Sequence, residues 1–175
     1  MFTHEQWMRE ALSEARKAAS LGEVPIGAVA VVEGEAVARA HNLREATQDP
    51  LGHAELLLLK QLSGDQKSWR LTETTLYVTC EPCLMCMGAL IQSRVPRLVF
   101  GCHEPKTGAC GSLYDVSSDA RLNHQIEVVT GVLEKECAAS MQEFFKGVRA
   151  AHSEKRITNN ELRPPKADWR GTKVV

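Results

Sequence analysis

The chain has 175 residues, of which 43 % are hydrophobic and 25 % charged, a balance that suits one globular domain whose core needs no staples. No run approaches the roughly 18 apolar residues of a membrane span, and "MFTHEQWMRE" lacks the basic segment and apolar stretch of a secretory signal, so a cytoplasmic setting is expected. The net charge of -1 gives no sign of a nucleic-acid partner, although from Lys146 onward eight Lys and Arg face three Asp and Glu.

Thr3 followed by Gln6 is a capping-box pattern, and Met8, Ala11, Leu12, Ala15 and Ala19 keep helical spacing, which predicts a first helix over Thr3 to Leu21. "IGAVAVV" (Ile26 to Val32) and "AVARAHN" (Ala36 to Asn42) flank a Gly-centred connection and read as an antiparallel hairpin. A loop with Asp49, Pro50 and Gly52 leads to a second helix from His53, then a strand "TLYVT" from Thr75 and a third helix from Cys83 with Pro82 in its first turn. "RLVFG" (Arg97 to Gly101) and "IEVVTG" (Ile126 to Gly131) read as strands separated by a long loop, and Leu133 to Ala150 as a last amphipathic helix. The expected fold is therefore α/β with a mixed sheet. Residues 1–150 form the expected domain, and 151–175, with Pro164 and Pro165, a basic and partly disordered tail.

Six cysteines in a reducing compartment point to ligands, catalytic groups or small core residues rather than to a disulfide framework. Cys83 and Cys86 are three apart on one helical face and can chelate one ion. Cys80 ends a strand whose alternation groups it with Leu76 and Val78, which predicts burial as a small apolar residue. "HAE" (His53, Ala54, Glu55) opens another helix, so two positively polarised helix ends would meet, favouring thiolate over thiol. Two thiolates and the His53 imidazole would hold Zn²⁺ through three protein ligands, leaving a fourth position for water, whose pKa zinc can lower from about 16 to near 7. Glu55 could then reach that water as a proton shuttle.

"HAE" and "PCLMC" in this order match the H-x-E…P-C-x-x-C signature of zinc-dependent nucleobase and nucleoside deaminases. Together with "EVPIGAV", "AHN", "DPLGHAE", "TLYVTCEPCLMCMGALIQSRV", "VFGCHEPKTGACGS" and "NHQIEV", the chain resembles the bacterial tRNA-specific adenosine deaminases of the cytidine-deaminase superfamily over roughly Thr3 to Ala150. The resemblance implies a mixed central sheet of about five strands flanked by helices, one zinc per chain on His53, Cys83 and Cys86, and proton transfer by Glu55. It further implies that Asn42 and the backbone of Ala54 meet a flipped base, and that adenosine becomes inosine at the wobble position of a tRNA anticodon stem-loop bound by a homodimer. Two departures stand out: "HEPKTGACGS" where the family form resembles "RDAKTGAAGS", placing Glu104 where a shorter Asp is usual, and "PLGHAE" where "PTAHAE" is frequent. These bear on contacts to flanking nucleotides and leave the zinc pattern intact.

Other readings of the same residues are a deaminase of free guanine or cytosine with the same zinc site, and a thioredoxin-like redox pair that would leave His53 and Glu55 idle. An iron–sulfur run would have to recruit Cys102 or Cys110. A structural zinc in an RNA-binding module would require a fourth protein ligand, for which Cys80 is the candidate. His41, His103 and His124 are expected as surface or packing residues.

Overall fold

Thr3 and Gln6 form the capping box that their spacing calls for: the Thr3 side chain accepts from the Gln6 N–H and the Gln6 side chain from the Thr3 N–H, opening helix α1 (His4–Ser20). The computed structural model describes residues 3–161, with side chains as far as residue 151. The hairpin follows as β1 (Gly27–Val32) and β2 (Glu35–His41), paired antiparallel from Gly27↔His41 to Val32↔Glu35.

One helical turn, α2 (Arg44–Thr47), lies within the segment expected to be loop. Four residues are too few to carry a hydrophobic period, and Gln48, at φ 51°, stops the turn at once. Then come α3 (Ala54–Gln66), β3 (Thr75–Cys80), α4 (Leu84–Gln92), β4 (Arg97–Cys102) and the three-residue β5 (Glu127–Val129). The last helix, α5 (Glu134–Glu161), continues past its expected end at Ala150. Residues 162–175 of the expected tail lie outside the described residues.

The five strands run in the order β2-β1-β3-β4-β5. Strand β1 is antiparallel to β2 and β3, whereas β3, β4 and β5 are parallel, so the sheet is mixed as expected. Because β1 has helices over both faces, it reads as an unbroken apolar run: Ala28 and Ala30 join the α3/α4 side with Leu58, Leu62, Met87 and Leu90, while Val29 and Val31 join Trp7, Met8 and Ala11 of α1. Met8, Leu58, Leu62 and Phe100 are fully enclosed, and each such side chain contributes roughly 1.5–3 kcal/mol of transfer free energy.

Cys80 is buried, as expected, but on the other face from the one its alternation suggests. Leu76 and Val78 face α3 and α4, whereas Cys80 packs with Tyr77, Val99, Cys102 and Cys137. The alternation lapses at the strand end, where the Thr79 hydroxyl turns to accept the Gly27 N–H at 3.2 Å and Gly101 on β4 carries no side chain. The chain forms two compact units, Met1–Phe144, which carries the sheet, and Phe145–Val175, helical as far as Glu161. No helix among the described residues is long and apolar enough to cross a membrane.

Candidate active site

His53 and Cys83 do not sit inside their helices. Each is the residue that precedes the first helical turn, in extended conformation (φ -77°, ψ 143° for His53; φ -75°, ψ 171° for Cys83), and neither side chain caps its own helix. Pro82 is thereby moved one step ahead of the cap of α4, not into its first turn. The consequence is chemical: both side chains are left free to turn toward each other, beside the positively polarised starts of α3 and α4.

Cys86, one turn into α4, completes the group. Its Sγ lies 3.4 Å from His53 Nδ1, Cys83 Sγ lies 3.8 Å from the same nitrogen, and the two sulfurs are 3.7 Å apart. Among the described residues these three form the group of His, Cys and carboxylate side chains able to hold a metal ion, with their ligand atoms all within 4.8 Å of one another. A hydrogen bond from the Cys86 thiol, reinforced by His53, lowers the Cys83 pKa to about 4, and Cys86 is raised in return. His53 is raised chiefly by its bond to Cys83. Two thiols and one imidazole suit zinc, and the set has three members: Cys80 lies in the second core cluster, Cys102 beside it, and Cys110 against Met87 Sδ at 3.1 Å. Among the described residues the structural-zinc and iron–sulfur readings therefore find no fourth protein ligand.

Glu55, in the first turn of α3, is 3 % exposed, and its Oε2 is buried without a hydrogen-bond partner. Burial raises its pKa, while the charge of His53 works in the opposite direction. An unpaired buried carboxylate oxygen costs free energy that a fold without a use for it would avoid, and this one stands beside a three-member ligand set. That is the arrangement expected if a metal and a water-derived nucleophile belong there. Ala54 is fully buried between Glu55 and His53 in sequence.

Asn42 closes the second strand and is 5 % exposed. Its backbone N–H donates to Ile26 O at 3.0 Å, and its Nδ2 donates to Glu23 Oε2 at 2.9 Å. Glu23, 1 % exposed, also takes the Ala46 N–H of α2 on Oε1 at 2.6 Å. A carboxylate can only accept, so Glu23 fixes which end of the Asn42 amide faces it. Glu23 opens "EVPIGAV" but has no local signature of burial, since "LGEVP" reads as an ordinary connection.

Glu81, between "TLYVTC" and Cys83, carries a faint signature of this kind, a charge inside an apolar stretch. The three histidines expected as surface or packing residues all have partners: His41 with Glu14 at 2.8 Å, His103 with Glu81 at 3.2 Å, and His124 with Val95 O at 2.7 Å.

The MafB19-like deaminase family matches residues 2–149. A tRNA-specific adenosine deaminase of Bacillus subtilis (strain 168) is 50 % identical over 149 residues, covering 85 % of this chain and 92 % of that protein. The tRNA-specific adenosine deaminase of Haemophilus influenzae is 44 % identical over 143 residues, covering 81 % and 83 %. A solved structure from studies of A-to-I editing by tRNA:A34 deaminases at the wobble position of transfer RNA superposes with a TM-score of 0.75 at 38 % identity, covering 77 % of this chain and 98 % of that one. A guanine deaminase from Nitrosomonas europaea superposes with a TM-score of 0.70 at 25 % identity, covering 82 % and 85 %. Such likeness in sequence and fold over most of both chains means that this chain belongs to the tRNA-specific adenosine deaminases, within the MafB19-like deaminase family.

Proposed function

We propose that the chain hydrolyses adenosine to inosine, releasing ammonia, at the wobble position of a tRNA anticodon stem-loop, with one zinc per chain held by His53, Cys83 and Cys86. The observation that carries this reading is the unpaired Glu55 Oε2 beside a three-member His/Cys/Cys set, in a chain half identical to a tRNA adenosine deaminase. Zinc bound there supplies the Lewis acidity that makes water a nucleophile near neutral pH. Glu55 Oε2 accepts one proton from the attacking water and passes it to the ring nitrogen, then carries the proton left on the added hydroxyl to the departing amine, which leaves as ammonia; burial raises the pKa of this carboxyl, which favours its holding a proton between the two transfers. Asn42, oriented by Glu23, and the Ala54 backbone hold the base edge. A purine in a stacked duplex cannot reach so recessed a group, which is why a loop base is the substrate.

The catalytic domain comprises residues 1–150, and 151–175 serve as a basic tail. Leu51, Leu84 and Met85 are exposed apolar side chains close in sequence to the metal group, which supports a homodimer built around it, in the cytoplasm. Guanine deamination is the competing reading, because its fold matches almost as well (TM-score 0.70 against 0.75); sequence identity separates the two, at 25 % against 38 %. Treating bulk tRNA with the protein and sequencing it should reveal inosine at wobble adenosines, and an anticodon hairpin should release ammonia faster than free guanine or cytosine. The reverse order would overturn the tRNA assignment and leave a zinc deaminase.

A further inference from the structure

Glu81 separates β3 from the Pro82–Cys83 cap of α4, and its side chain is wholly enclosed. Its two oxygens gather donors from both ends of the 103–112 segment. Oε1 accepts the N–H groups of Cys110 at 2.9 Å and Ser112 at 3.1 Å. Oε2 accepts the Glu104 N–H at 3.1 Å and the Ser112 hydroxyl, and lies 3.2 Å from His103 Nδ1. Gly108 passes directly over this carboxylate: a Cβ there would stand 2.6 Å from Glu81 Oε2 and 2.6 Å from Glu104 O. Only glycine lets the segment lie so close.

The same segment is tied to the start of α4. Gly108 bridges Cys83, the Ala109 N–H donates to Pro82 O at 2.9 Å, and Cys110 Sγ meets Met87 Sδ at 3.1 Å. Its crest, Pro105 to Thr107, is exposed, and the Lys106 N–H is held by the Glu104 carboxylate at 2.9 Å. The groups bonded to the Glu81 oxygens do not include His53, Cys86, Glu55 or Asn42. All of them set the height of an exposed arm, with a lysine at its crest, beside the cap that carries a metal ligand.

We propose that Glu81 is a positioning residue for substrate RNA: it moors the 103–112 arm so that Lys106 meets the phosphate backbone next to the target base, and so governs RNA affinity without entering the chemistry. This rests on the tRNA reading above. Glu81→Gln is the informative change. Its amide oxygen can keep the Cys110 and Ser112 N–H groups, but its NH₂ then faces the Glu104 N–H, donor against donor, and the arm is released at one end.

The KM for an anticodon hairpin should rise about tenfold in Glu81→Gln, the size expected for removing hydrogen bonds to a charged group, with kcat within about threefold and zinc content unchanged. Lys106→Ala should raise KM similarly. The two changes combined should raise it by less than the product of the single effects, because a lysine on a released arm has little left to lose. An unmoved KM, a fall in kcat at constant KM, zinc loss in Glu81→Gln, or multiplicative effects would each overturn the proposal. Should Glu81→Gln fail to fold, Ser112→Ala, which removes one donor and keeps the charge, should raise KM about threefold, and an unchanged KM there refutes the role. The wild-type chain is the control: no turnover of the hairpin refutes the tRNA reading and this inference with it, whereas turnover with unmoved KM values refutes the inference alone.

Discussion

Replacing Glu55 by Gln keeps the shape of the side chain and the His53, Cys83 and Cys86 group while removing the carboxylate proposed to accept a proton. The structure sets expectations for rate, metal content and stability. Positioned acid–base groups contribute about 10²- to 10⁴-fold, so turnover of an anticodon hairpin should fall at least about 100-fold, equivalent to about 2.7 kcal/mol in the barrier, with zinc near one per chain. Stability should not fall with it. Glu55 is 3 % exposed with an unpaired oxygen, and a neutral amide is less costly to bury than a carboxylate, so the variant should melt no lower than wild type. Single-turnover inosine formation, metal analysis and thermal melting on one preparation measure all three quantities. A rate within about fivefold of wild type would refute the proton-transfer role, and loss of zinc would mean that Glu55 acts through the metal group instead.

The cysteines should divide by location: Cys83→Ser and Cys86→Ser should lose zinc, whereas Cys80→Ser should keep it and lose about 1–3 kcal/mol by placing a hydroxyl in the second core cluster, as metal analysis and urea unfolding would reveal. Burial works against the Glu14 carboxylate, but its bonds from Lys17 and His41 prevail and hold its pKa below 4.5. A folded pKa below the unfolded one gives stability that is complete above about pH 4.5 and lost as the pH falls through the folded value. Glu14→Gln should therefore cost about 1 kcal/mol at pH 7 and progressively less below pH 4, read from urea midpoints at the two pH values; a constant gap would contradict this. Truncation after Ala151 should weaken hairpin binding and flatten its salt dependence by about one unit of slope for each phosphate that the tail had neutralised, and an unchanged slope would make the tail a solvated end.

The order and kind of the main elements are legible along the chain, because each has a local signature: the Thr3 and Gln6 capping box, the hairpin around Gly34, and the apolar runs of β3 and β4. The metal-group candidates are legible too, because ligand types and their spacing in "HAE" and "PCLMC" are local facts. Local signatures lose force where elements meet. Periodicity assigns His53 and Cys83 to helices, but only packing decides that both stand just outside them, free to share an ion. Alternation assigns Cys80 to the face of Leu76 and Val78, but the end of a strand answers to its neighbours, here Gly101 and the Thr79 hydroxyl, and the thiol turns to the other core. Glu23 and Glu81 show the limit most plainly. A buried carboxylate is stable only where donors distant in sequence converge on it, Asn42 and Ala46 in one case and residues 103–112 in the other, and that convergence exists only in the folded chain.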